Sequence, residues 1–172
     1  MTNHFETLAI HAGQSPDPST GAIMTPIYQS STFVQEAVGK HKGYEYSRTG
    51  NPTRTVLEDC LAALEDGEFG FATASGMAAT DMVIRLLEPG DHILVGNDVY
   101  GGTFRLFDKE FRKYGLEFSY VDTSDISQLK EGIRPETRMV WLETPTNPYL
   151  NITDLPAAAE IVRIQSNPPG WL

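Results

Sequence analysis

The sequence predicts an α/β fold, a parallel sheet covered by helices on both faces, preceded by an extended N-terminal arm. Three observations lead there. From Asn51 onward, short apolar runs alternate with stretches of helical period, the pattern of strand–helix units around a parallel sheet. Gly67, Pro89–Gly90 and Gly115 punctuate those runs. Residues 1–48, by contrast, hold Pro16, Pro18 and Pro26 and sustain neither a helical nor a strand period.

The arm comes first. It carries Ile23, Met24, Ile27, Tyr28, Phe33, Tyr44 and Tyr46, too much apolar and aromatic surface for a disordered leader. Such an arm needs a second surface, and a second subunit is the natural one. The first predicted helix opens at Asn51, an N-cap residue, with Pro52 at the position where its missing N–H costs nothing. Leu57, Cys60, Leu61 and Leu64 then form an apolar stripe that reads as buried, and Gly67 ends the helix. Phe69 to Thr73 reads as a buried strand. A helix from Ser75 to about Leu87 follows, and then a strand at Ile93–Leu94–Val95. Phe104, Phe107, Phe111 and Tyr114 fall on one helical face that Gly115 closes. Phe118 to Val121 is a strand, Ile126–Glu131 a short helix, Met139 to Leu142 a strand, and a last helix starts at Asp154–Leu155–Pro156.

Composition narrows the chemistry. The chain has 172 residues, 40% of them apolar, enough for a packed interior in one domain. A formal charge of −10 has the wrong sign for a general nucleic-acid or anionic-membrane partner. No apolar run approaches the roughly 18–20 residues of a membrane span. The single cysteine, Cys60, forms no internal disulfide, and no Cys/His spacing fits a metal. No Lys or Arg precedes Lys40, so no secretory signal is expected, and the chain reads as cytoplasmic.

Ligands of parallel sheets bind outside the carboxyl ends of the strands, which directs attention to three loops. In the first, Thr73–Ala74–Ser75–Gly76–Met77, small residues meet a helix start. This is either a plain Ser-capped helix or an anion cradle built from N–H groups and the helix dipole. The second, Asn97 to Thr103, places Tyr100 before Gly101–Gly102, where it is a surface aromatic or a group that stacks on a flat ligand and relays protons. The third, Glu143–Thr144–Pro145–Thr146–Asn147–Pro148, is stiffened by two prolines that aim Glu143 and Asn147. At the end of the arm, Arg48 could fork onto a phosphate with Tyr46 beside it.

Taken together these pieces resemble a family. Gly21 to Tyr28 with Ser31–Thr32–Phe33, Tyr46–Ser47–Arg48, Gly50 to Thr53, Ala74 to Met77, Tyr100 to Thr103 and Glu143 to Pro148 run in the order and spacing of the pyridoxal-phosphate-dependent enzymes of Cys/Met metabolism. The resemblance covers about residues 7–162. It implies a three-layer α/β/α fold-type I transferase built on pyridoxal 5′-phosphate, catalysing transsulfuration as a tetramer of active dimers. It assigns Ser75, Gly76 and Met77 to the cofactor phosphate, and Tyr46 and Arg48 to the phosphate of a neighbouring subunit. Tyr100 is matched to ring stacking and proton transfer, Asn147 to the 3′-oxygen, and Glu143 to an orienting role. Gly102 is similar to cystathionine γ-synthases and γ-lyases, whereas methionine γ-lyases tend to carry cysteine there. The implied substrates are cystathionine or a homoserine ester. Cystathionine β-lyase and O-acetylhomoserine sulfhydrylase are the alternatives.

The same resemblance implies groups that the 172 residues lack. These are the Schiff-base lysine, an acidic partner for the pyridine nitrogen and an arginine for the substrate carboxylate. Lys40, Lys42, Lys109, Lys113 and Lys130 do not stand in the family's lysine motif. The sequence also leaves the family pattern at Arg163–Leu172, through Pro168–Pro169. The expectation is therefore an arm (1–48) followed by an incomplete cofactor domain (49–172), truncated and inactive alone. The non-enzymatic alternative is an inert fragment, or at most a cofactor-binding or dimerisation module.

Overall fold

The structure, a computed structural model, describes residues 4–165, so the predicted break at Pro168–Pro169 lies outside the described residues. Its contacts divide the chain into two compact units, residues 1–73 and 74–172.

The second unit holds a three-stranded parallel sheet in the order β2–β1–β3, with β1 at His92–Gly96, β2 at Glu117–Val121 and β3 at Thr137–Trp141. Ile93 stands opposite Phe118 on one side and Met139 on the other. Every residue of β1 is buried, as a central parallel strand covered on both faces requires. Alternation along β1 sorts the two cores. Ile93 and Val95 join Ile84, Phe107, Phe111 and Phe118, while Leu94 joins Leu129 and Ala158. The four helices around it are α3 (Gly76–Ile84), α4 (Gly101–Arg105), α5 (Ile126–Gly132) and α6 (Leu155–Gln165). Asp125 and Asp154 accept the N–H groups of Ser127 and Ala157, at 3.0 Å each, at the starts of α5 and α6.

Two predicted extents change. Helix α3 stops at Ile84 rather than Leu87, because Leu86 and Leu87 bond the carbonyls of Val83 and Ile84 in tighter turns. The four aromatics from Phe104 to Tyr114 do not share a face. After α4 the chain widens into a π turn at Leu106–Glu110 and tightens into a 3₁₀ turn at Phe111–Tyr114, so the 3.6-residue period lapses. Phe107 and Phe111 are buried, whereas Phe104 and Tyr114 stay exposed. Phe107 stacks on Phe118 at 5.1 Å and meets the edge of Trp141 at 5.3 Å. Gly115 reverses the chain at φ +87°, with Pro89 against it.

The first unit is less regular, but it is not an extended arm throughout. It begins with a helix that its sequence did not announce, α1 (Phe5–His11), which carries Glu6 in its first turn and His11 in its last, each suited to the helix dipole. Residues 31–47 fold back on themselves. Phe33 donates to the Glu45 carbonyl and Ser47 to that of Ser31, 3.0 Å each, and Thr32 pairs antiparallel with Tyr46. Helix α2 (Pro52–Leu64) packs against α1 and is capped by Asn51, whose side chain accepts from the Thr53 N–H at 2.9 Å. The reversal after it falls on Asp66, at φ +53°, rather than on Gly67.

The buried stripe on α2 and the strand at Phe69–Thr73 are both corrected. Leu57 and Leu61 are about half exposed, and Cys60 is partly buried. Phe69 and Phe71 are 71% and 73% exposed. That segment has no neighbouring strand among the described residues, and the N–H of Ala72 turns instead to the Glu58 side chain on α2, at 2.9 Å.

Candidate functional site

A cleft of about 500 Å³ opens in the second unit where β1 and β3 end and α3 begins. The size is that of a small-molecule site. Its floor and walls come from all three predicted loops. The first gives Ser75, Gly76 and Met77, the second Tyr100, and the third Glu143.

Each part is placed by local chemistry. Ser75 caps α3, its hydroxyl accepting the Ala78 N–H at 3.1 Å, so the following Gly76 and Met77 amides stand at the positive end of a nine-residue helix. A side-chain carbon on Gly76 would meet nothing within 4 Å, so a ligand can approach the backbone there. Tyr100 precedes α4 and is half exposed, and its backbone N–H donates to Glu143 Oε2 at 3.0 Å. The tyrosine ring lies hard against Gly102. A Cβ there would sit 2.3 Å from Tyr100 Cε1 and 3.1 Å from Met77 Sδ.

Other predicted residues are not among those that line this cleft. Asn147 is exposed and does not line it. Tyr46 and Arg48 belong to the first unit, where the Arg48 guanidinium lies 4.7 Å over the Tyr46 ring.

Sequence reasoning missed several participants. Thr80, Thr103, Trp141 and Leu142 also line the cleft. Trp141 and Leu142 were legible only as strand residues, although the carboxyl end of a strand is itself a signal. Asp98 ties the second loop to the third. Its Oδ2 accepts the hydroxyl of the buried Thr146 and, at 3.0 Å, the N–H of Tyr149. Thr146 in turn accepts the Asn151 N–H at 2.8 Å. No spacing rule connects residues so far apart in sequence. The arrangement can hold an anion at the head of α3 with a flat ring beside Tyr100.

Comparison with known proteins gives this geometry a context. The family described as Cys/Met metabolism PLP-dependent enzyme matches residues 6–168. The chain is 54% identical over 162 residues to the cystathionine beta-lyase of Coxiella burnetii, covering 94% of this chain and 42% of that protein. It is 50% identical over 163 residues to a probable cystathionine gamma-synthase of Herpetosiphon aurantiacus, covering 95% and 51%. Among solved structures, metB from Corynebacterium glutamicum superposes with a TM-score of 0.91 at 52% identity, covering 94% of this chain and 43% of that one. Cystathionine gamma-lyase from Lactobacillus plantarum, complexed with L-serine, gives 0.89 at 52% identity, covering 94% and 42%. The chain thus spans between 42 and 51% of the length of these four proteins. It belongs to the Cys/Met metabolism PLP-dependent enzyme family.

Proposed function

We propose that this chain provides the phosphate-and-ring end of a pyridoxal 5′-phosphate site in a transsulfuration enzyme. The reaction would be γ-replacement or γ-elimination at the C–S or C–O bond of cystathionine or a homoserine ester. The observation that carries the reading is the cleft that joins a Ser-capped helix start to Tyr100 and Glu143. β-Elimination of cystathionine is the second reading, favoured by the likeness to the Coxiella burnetii protein.

The residues present fit the cofactor. The open backbone at Gly76 and the cap at Ser75 suit a phosphate, and Gly102 is the residue that leaves room for the Tyr100 ring. When bound, pyridoxal phosphate supplies the electron sink for a carbanion at the substrate. The chain's own residues would do the rest. Ser75, Gly76 and Met77 bind the phosphate, and Tyr100 stacks on the ring and moves a proton at its hydroxyl. Glu143 orients the Tyr100 backbone, and Asn147 takes the 3′-oxygen on the family resemblance alone. Tyr46 and Arg48 would reach the phosphate of a second subunit in a homodimer or homotetramer. Exposed Ile23, Met24, Ile27 and Val34 in the first unit support such a partner. Among the described residues no helix is long and apolar enough to cross a membrane.

Trp141 lines the cleft and reports its occupancy. In a Trp171→Phe background, added pyridoxal 5′-phosphate is expected to quench Trp141 fluorescence saturably, with inorganic phosphate competing. Absence of saturable quenching would sink the reading.

A further inference from the structure

Arg54 turns its guanidinium back along the chain from the first turn of α2. Its Nη2 donates to the Thr49 carbonyl at 2.9 Å, and its Nη1 lies 3.5 Å and 3.4 Å from the carbonyls of Ser47 and Arg48. Three consecutive carbonyls therefore converge on one fork. On its other side, Nε is 3.3 Å from Glu58 Oε1, one helical turn on. That same Oε1 accepts the Ala72 N–H at 2.9 Å. Asn51 holds the loop from a second direction, donating from Nδ2 to the Ser47 hydroxyl and the Tyr28 carbonyl, 3.0 Å each. Arg48 itself is exposed and stacks on Tyr46. One arginine of the pair is thus spent inward on the backbone that carries the other.

We propose that Arg54, held by Glu58, is a positioning residue that fixes the Tyr46–Ser47–Arg48 loop so that the Arg48 side chain meets a phosphate already ordered. The proposal rests on the reading of Arg48 as a ligand of the cofactor phosphate. The physical reason is that a loop which must order on binding loses affinity for it, whereas a braced loop does not. A planar guanidinium spreads its donors over separate nitrogens in a fixed fork that spans the three carbonyls, whereas the donors of a lysine ammonium radiate from a single atom on a flexible stem and leave out the Nε contact to Glu58. Glu58 serves the brace twice. It neutralises the inward guanidinium, and it fastens Ala72, the third residue before the Ser75 cap.

Two measurements on the full 172-residue chain test this, with Arg54→Met and Arg54→Lys beside the unsubstituted protein. The first is limited trypsin digestion read by mass spectrometry. Cleavage after Arg48 is expected to accelerate about tenfold in both variants while cleavage after Arg85, in the other unit, holds its rate. The second is the ratio of affinities for pyridoxal 5′-phosphate and pyridoxal, which isolates the phosphate contribution. That ratio is expected to fall about fivefold in both variants, with pyridoxal affinity unchanged. If Arg54→Met opens every site together, Arg54→Lys, which keeps the ion pair, decides. An unchanged rate after Arg48, or an unchanged ratio, overturns the brace. No preference for the phosphate ester in the unsubstituted chain overturns instead the reading of the site as a phosphate site.

Discussion

Gly102 shows what a single hydrogen atom in place of a methyl can decide. The residue is the second of α4, where alanine would ordinarily be the better helix former. Here the added carbon would lie 2.3 Å from the Tyr100 ring, which must then shift, and in tight contact with Met77 Sδ at 3.1 Å. Gly102→Ala is expected to keep or raise the thermal midpoint while lowering affinity for pyridoxal 5′-phosphate about tenfold, which is about 1.4 kcal/mol. Calorimetry and fluorescence titration on the same preparation separate the two effects, and unchanged affinity would refute the steric argument. The position was legible in the sequence as the point where related enzymes differ. Its reason was not, because a backbone-to-ring contact leaves no spacing pattern. Asp98 is similar: its carboxylate joins two loops through Thr146 and Tyr149, and nothing local marks it as more than a turn residue.

Among the elements, β1 and the Phe69–Thr73 segment carry comparable apolar runs, yet only β1 became a strand. A strand is completed by its neighbours, and β1 has two while Phe69–Thr73 has none among the described residues. The aromatic face between Phe104 and Tyr114 failed for a different reason, since a change of helical pitch is invisible to a fixed period. The strands and the capped helix starts at Asn51 and Ser75 were legible because their signals are local. Burial also leaves a titration signature in β1. His92 is fully buried, with Nδ1 2.7 Å from Thr137 Oγ1. Desolvation, helped by the Arg134 charge, holds its imidazole below the ordinary 6.5, against smaller opposing effects of Glu117 and Glu136. The unfolded chain therefore takes up a proton first as pH falls. Stability is fully present above about pH 6.5 and declines below it, toward the folded-state value. The urea midpoint should drop between pH 8 and pH 5.5, and His92→Gln should flatten that drop. An equally steep profile in the variant would remove His92 from the account.

Across the whole molecule, large apolar side chains lie exposed in both compact units. Ile23, Met24, Ile27, Val34 and Val38 are exposed in the first unit, and Leu86, Tyr149, Leu150 and Ile152 in the second. Concentration-dependent association is the expected outcome, measured by sedimentation velocity. Ile23→Asp combined with Ile27→Asp should shift the distribution toward monomer, and an unaltered distribution would place the contact elsewhere. In the sequence Ile23, Met24 and Ile27 fall in a stretch without a period, and all three are exposed. The order of the sheet has a consequence for synthesis. His92 and Thr137, hydrogen-bonded across β1 and β3, are 45 residues apart. At the ordinary pace of translation, roughly 5–20 residues per second, the ribosome needs roughly 2–9 s to supply the third strand after the first. Through that interval β1, the most fully buried of the three described strands, lacks both neighbours until β2 is made and one of them thereafter. A nascent chain paused before Thr137 would present Ile93, Leu94 and Val95 to whatever holdase the cell provides.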